Sequence, residues 1–303
     1  MSNTILVASL CPNSFSRASR RAAMLATGLN CRNIDYLAVM KPDEKGENIR
    51  TLCHHVDDVK AASASASILF GMCCSARFEV GSLSEAACKR AGGLSPALIA
   101  LAWQCHPWWP VLHNFGLLRD LSRRTGKPVL LVRQAPTQPY SHAVYPCDFS
   151  SASIAALALA IRLMPYVRIT VLHAFTLPGE GQMRSVGVRN SAIEHCRERL
   201  EREARDAYAR VLDTLKPHAA RLSLALLPKQ PEKACEHYVN DVGADLIILS
   251  DSRRWLVDEW CWQSGMRDLV GGTSSDVLMI GATRAGRRNA RSDTFSNDHG
   301  RGK

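Results

Sequence analysis

Two stretches of this chain repeat one order of signals. I-L-V-A (5–8) leads through Ser9 into a helix-like S-F-S-R-A-S-R-R-A-A-M-L-A, and V-Y-P-C-D (144–148) leads into F-S-S-A-S-I-A-A-L-A-L-A-I. A-L-I-A-L (97–101) answers D-L-I-I-L (245–249), and P-V-L-L-V (128–132) answers D-V-L-M-I (276–280). The early pairs stand 138 residues apart and the late pairs 148, so the second copy carries about ten extra residues, placed most simply around 178–190. An internal repeat constrains domain count, fold and internal symmetry together.

Within copy one, apolar runs at 4–9, 33–40, 97–102 and 128–133 read as strands of a buried parallel sheet. Residues 68–74 and 78–80 compete for a further strand. Helices are expected at 14–27, stopped by Gly28, and at 44–63, 85–91 and 112–123. Copy two repeats the order. Strands fall at 144–147, 168–175, 222–227, 245–249 and 276–280, and helices at 151–163, 191–215, 232–242 and 264–270. Glu198 and Arg202 on the long charged helix are spaced for an i,i+4 pair. Strands alternating with helices predict an α/β chain with both sheet faces covered. The final strands, 129–133 and 277–280, are expected at sheet edges, which seek partners. Q-A-P-T-Q-P-Y-S-H (134–142) has two prolines among polar residues and reads as a linker.

A length of 303 residues suits two domains, and 46% hydrophobic residues suffice for two cores. No run reaches the roughly 18 apolar residues that a membrane helix needs. The longest apolar helical stretch, 154–164, is interrupted by Arg162 and followed by Pro165. No signal peptide is evident at the N-terminus, so a cytoplasmic protein without membrane partners is expected. The 11 cysteines are odd in number and lack the paired C-x2-C spacing of a structural zinc site, so neither a disulfide framework nor a metal is expected. The net charge of +10 includes a polar tail, 284–303, with six Lys/Arg against Asp293 and Asp298. That tail reads as disordered. No basic patch interleaved with aromatics accompanies the charge, so nucleic acid is not expected as a partner.

These signatures resemble the universal stress protein family. V-Y-P-C-D-F-S-S-A-S-I-A-A-L-A-L-A is similar to the family's opening, V-G-A-D-L-I-I-L-S-D-S-R-R-W to its fourth strand and following loop, and G-K-P-V-L-L-V-R to its domain end. The resemblance covers about residues 1–133 and 143–282. It implies two tandem Rossmann-like domains of the adenine-nucleotide-binding type, each an open five-stranded parallel sheet. The expected division is domain 1 at 1–133, a linker at 134–142, domain 2 at 143–283 and a tail at 284–303. Tandem members resemble a dimer fused into one chain, which implies that the two final strands pair across a pseudo-twofold.

The resemblance also says where a nucleotide would sit. Many members carry G-x2-G-x9-G-[S/T] after the fourth strand, where glycines let backbone N–H groups approach phosphate and the next helix directs its positive end at it. The matching positions of copy two are Ser250, Arg253, Gln263 and Ser264, so only the terminal hydroxyl survives. Those of copy one are Ala102, Cys105, Phe115 and Gly116, and the pattern is lost. The family's first-strand Asp, beside the adenosine, is retained as Asp148 and replaced by Leu10 in copy one. Asp148, Ser250, Arg253 and Ser264 are therefore the candidate residues for ATP or AMP in copy two. The plainer readings are helix capping for Asp148 and Ser264 and a solvated loop for Arg253.

All six tryptophans lie in the two corresponding loops, W-Q-C-H-P-W-W-P (103–110) and W-L-V-D-E-W-C-W (255–262). Such aromatics close a vacated pocket, form a protein-binding patch or offer a platform for ligand stacking. No nucleophile elbow, HExxH or P-loop is present. His173 falls at a strand end on the carboxyl edge, where a lone histidine is usually structural. The expectation is a non-enzymatic tandem protein of the stress response, with a regulatory or protein-interaction role and no robust cofactor binding. A homodimer and an unidentified protein partner at the tryptophan loops belong to that expectation. An adenine-nucleotide sensor using copy two is the alternative.

Overall fold

The structure is a computed structural model, and it describes residues 3–10, 14–40, 48–103, 111–227, 231–250 and 269–281. The first half contains β1 (Thr4–Ser9), α1 (Phe15–Leu29), β2 (Asn33–Met40), α2 (Asn48–Phe70), β3 (Cys73–Val80), α3 (Leu83–Leu94), β4 (Leu98–Ala102), α4 (Val111–Thr125) and β5 (Val129–Val132). Residues 133–141 form neither helix nor strand. The second half contains β6 (His142–Pro146), α5 (Ser151–Leu163), β7 (Arg168–Ala174), α6 (Glu180–Ser185), α7 (Asn190–Thr214), a 3-10 helix (Lys216–Arg221), β8 (Leu222–Leu227), α8 (Pro231–Asp241), β9 (Leu246–Ser250) and β10 (Asp276–Ile280).

All ten strands join one sheet in the order β3-β2-β1-β4-β5-β10-β9-β6-β7-β8. Every pairing is parallel except that of β5 with β10, which is antiparallel. Val277 lies opposite Leu131, Leu278 opposite Leu130 and Met279 opposite Val129. The two strands expected at edges therefore cover each other. Read outward from this seam, the halves have the same strand order, and in each the chain reverses its direction of travel across the sheet at the first strand.

Alternation within strands builds a core on each face of the sheet. Ile5 and Val7 point to one layer, Leu6 and Ala8 to the other, and all four are fully buried. Each fully buried Val, Leu or Ile contributes roughly 1.5–3 kcal/mol relative to exposure. Both layers run through the seam, one joining Ile5 to Ile248 and Leu278, the other joining Leu6 to Leu249 and Val277.

Polar groups cross the seam as well. Asp276 at the start of β10 accepts from the Arg133 backbone N–H at 2.7 Å and from the Tyr140 hydroxyl at 2.6 Å, and Arg21 of α1 lies 3.3 Å from the same oxygen as Tyr140. The Arg21 guanidinium stands 3.8 Å over the Tyr140 ring and donates to the Gln138 carbonyl at 2.9 Å. The Arg133 guanidinium covers the Trp103 ring at 4.1 Å.

Four local expectations need correction. The helix expected at 44–63 runs on to Phe70, because the A-A-S-A-S-A-S-I-L-F run continues helical packing. It ends at Gly71, whose φ of +64° suits the return bonds Gly71 N–H to Ser67 C=O and Met72 N–H to Ala66 C=O. The competing strand segments resolve into one strand, β3, that excludes 68–70. Gly28 does not stop α1. The left-handed Asn30 does, and a Cβ on Gly28 would meet Pro165 at 3.3 Å, so that glycine permits a close approach. Arg202 donates to the Glu198 backbone carbonyl at 3.4 Å rather than to its carboxylate, while Arg199–Glu203, Arg205–Glu201 and Arg197–Glu194 are among the ion pairs of that helix. The helix expected at 264–270 falls mostly outside the described residues.

Candidate functional site

In an open α/β sheet, ligands bind beyond the carboxyl ends of the strands where the chain order reverses. Here those places lie between β1 and β4 and between β6 and β9. The residues following β6 make a tight connection into α5. Phe149 has φ +56°, a left-handed conformation unusual for a bulky side chain. The connection is held from within: the Cys147 Sγ accepts from the Phe149 N–H at 3.3 Å, and Asp148 Oδ1 accepts from the Ser150 N–H at 3.0 Å and from the Ser153 hydroxyl. Ser150 is the N-cap of α5, its hydroxyl accepting from the Ser153 N–H at 3.2 Å. The retained carboxylate thus braces the Ser150 cap and does not itself cap α5.

Around it stand aromatic rings. His173 Nδ1 bonds the Cys147 carbonyl at 2.8 Å, and its ring lies 4.7 Å from Phe149 and 6.4 Å from Phe175, centroid to centroid. Tyr145 donates to the Ser153 carbonyl at 2.8 Å, and burial pushes its phenol well above the ordinary range. Ser250 ends β9 and is buried. Burial pushes the Cys147 thiol up to about 12, so it is an unreactive thiol at neutral pH. Asp148, after β6, and Ser250, ending β9, are brought to one carboxyl edge by the parallel pairing of those two strands. Arg253 and Ser264 lie outside the described residues, as do the tryptophan loops apart from Trp103.

The corresponding place in the first half is filled differently. Leu10 follows β1, and the Ser9 and Ser14 hydroxyls pair at 2.5 Å. Asp58 of α2 receives the Phe15 N–H at 2.9 Å and the Ser16 hydroxyl at 3.2 Å, capping α1 from a distant part of the chain. An anion at a helix N-terminus is favoured electrostatically, and here the chain supplies its own. His55, one turn earlier on α2, is fully buried, and its ring stands edge-on to Phe15 at 6.2 Å. Sequence reading missed this pair, although His55 and Asp58 fall in the same helical stripe as Val59, Ala62 and Ala66. Polar residues inside an apolar stripe were the available signal.

Among the described residues, no group of three or more His, Cys, Asp or Glu side chains is placed to hold a metal ion. No described helix is long and apolar enough to cross a membrane.

No family model and no curated protein matches the chain. Solved structures do. A universal stress protein from Archaeoglobus fulgidus DSM 4304 superposes with a TM-score of 0.62 at 11% identity, covering 94% of this chain and 98% of its own. A functionally unknown protein from Pseudomonas aeruginosa PAO1 gives 0.60 at 13% identity, covering 97% and 98%. The cytoplasmic domain of a prokaryotic cation chloride cotransporter gives 0.52 at 13%, covering 96% and 99%. The chain therefore has the α/β fold of a universal stress protein over nearly its whole length.

Proposed function

We propose that the chain is a non-catalytic tandem protein of the universal stress protein type, acting in regulation or protein interaction within the stress response and without robust ATP binding. One observation carries this reading: both carboxyl-edge positions are occupied by the chain's own groups. In the first half Asp58 accepts the first N–H of α1, and in the second Asp148 accepts from the N–H of Ser150, the N-cap of α5, and from the Ser153 hydroxyl. A nucleotide would have to compete with bonds already made. The loss of the phosphate-loop glycines points the same way. A superposable fold also serves as a domain of a cotransporter, which is consistent with an interaction module.

On this reading the chain is a cytoplasmic pseudo-dimer of domains 1–133 and 143–283, joined by 134–142 and followed by the tail 284–303. A protein partner would engage the tryptophan loops 103–110 and 255–262. Limited proteolysis with mass mapping tests the division, which predicts first cuts in 134–142 and 284–303.

The test of the main reading is to denature freshly purified protein and chromatograph the supernatant on an anion exchanger. Absence of ATP, ADP and AMP, with no thermal shift in millimolar magnesium ATP, is expected. Near-stoichiometric nucleotide overturns it. The second reading, a nucleotide sensor in the second half, draws on the retained Asp148 beside Ser250 and the Phe149–His173 rings. It requires Asp148→Ala to abolish a measurable affinity.

A further inference from the structure

β3 is the outermost strand beyond β2, and its residues are all exposed or half-buried. Phe78 is 37% and Val80 59% exposed. The Cys73 N–H donates to the Arg32 carbonyl and the Gly81 N–H to that of Met40, so the odd-numbered backbone groups face β2. Directions alternate along a strand, so Cys74, Ala76, Phe78 and Val80 turn their N–H and C=O groups away from the sheet.

The side chains divide by the same parity. Cys74 Sγ contacts Ser63 and Ser67, which puts the even positions on the α2 side. Ser75 bonds Asp35 at 2.6 Å, and Arg90 of α3 clamps Asp35 with two bonds, which puts the odd positions on the α3 side. Ala76, Phe78 and Val80 therefore form an apolar row on one face, and Arg77 and Glu79 a charged pair on the other.

We propose that β3 pairs antiparallel with β3 of a second copy of this chain, about a twofold axis at Phe78. Hydrogen-bonded pairs in an antiparallel ladder need outward-facing groups on both strands, so only registers matching even with even residues qualify. An axis at Phe78 sets Ala76 opposite the partner's Val80, Arg77 opposite the partner's Glu79 and Phe78 opposite itself. The twofold makes each of the first two contacts twice. An axis at Arg77 sets arginine against arginine, one at Glu79 sets glutamate against glutamate, and one at Ala76 leaves Arg77 facing Ser75. The Phe78 register alone among these pairs opposite charges while laying the two apolar rows side by side. Among the described residues Arg77 makes no ion pair, so the contact displaces no partner of its own. This proposal is independent of whether nucleotide binds.

The test is sedimentation of the full chain over a range of concentrations, in reductant so that exposed Cys53 and Cys73 cannot cross-link. A concentration-dependent dimer is expected. Arg77→Glu and Glu79→Arg should each weaken it about tenfold, and the double variant R77E/E79R should restore it, because the swapped charges again face their opposites. Circular dichroism checks that each variant is folded. A chain that stays monomeric throughout overturns the proposal, and Arg77 and Glu79 would then act as charges that keep an edge single. Association indifferent to the single changes, or unrescued by the double, also overturns it.

Discussion

The Tyr140 hydroxyl donates to Asp276 across 2.6 Å, and both residues are buried. This bond ties the segment between the halves to the last strand of the second half. The same carboxylate also receives the Arg133 amide and faces Arg21 of α1. Tyr140→Phe should lower unfolding stability by about 1–2 kcal/mol, read from urea denaturation, since a buried acceptor loses one donor while others remain.

Asp276 also predicts a pH effect. Burial raises its carboxyl above the ordinary value, outweighing the Arg133 amide, the Tyr140 phenol and Arg21, which lower it. A raised acid holds its proton longer in the folded than in the unfolded chain. Its contribution therefore favours folding in acid and is lost as pH rises through the window above the usual aspartate range. The stability of wild type minus Asp276→Asn should accordingly fall as pH rises through that window. A difference that grows with pH would contradict the assignment.

His55 and His142 act in the opposite sense. Burial lowers His55, with Asp58 and the Leu10 backbone opposing, and burial followed by Arg168 lowers His142, with Asp245 opposing. A base that protonates less readily when folded makes stability rise with pH through the region below about 6.5. His55→Phe and His142→Gln should each flatten that slope in denaturation curves taken between mildly acidic and neutral pH. An unchanged slope in both variants would sink this account.

Asp148→Ala removes the acceptor of the Ser150 N–H and the Ser153 hydroxyl. Loss of this support at the start of α5 should cost about 1 kcal/mol, measured as a lower thermal midpoint with or without added nucleotide. A midpoint unchanged in buffer, with a lost response to ATP, would favour the sensor instead.

Two glycines make a paired prediction. A Cβ on Gly281, just after β10, would sit 2.8 Å from the Ser122 backbone oxygen on α4, and one on Gly272 would meet the end of the Glu236 side chain. Backbone cannot step aside as a glutamate can. Gly281→Ala should destabilise by about 1–3 kcal/mol. Gly272→Ala should lie within about 0.5 kcal/mol of wild type in the same urea titration.

Strand positions along the chain were readable because buried parallel strands are written as continuous apolar runs, and β1, β4, β5, β9 and β10 are such runs. β3 is not: as an edge strand it mixes Arg77 and Glu79 with Phe78, while I-L-F at 68–70 imitates a strand from within α2. Only the packing of α2 and the turn at Gly71 separate them. The S-S-A-S run marked where α5 starts, but the cap falls on Ser150, with Asp148 bracing it. Asp58 was missed because its partner, the α1 N-terminus, is 43 residues away and only the fold joins them. For Arg202, helical spacing gave adjacency to Glu198 but could not say which oxygen would accept.

The antiparallel meeting of β5 and β10 has a consequence for the growing chain. β5 leaves the ribosome well before β10 exists. At ordinary elongation rates the wait is on the order of ten seconds. Through that interval the nascent first half carries a naked V-L-L-V strand that its own later sequence is destined to cover. The newborn chain is thus most exposed to capture by chaperones, or by another nascent copy, between these two moments of synthesis.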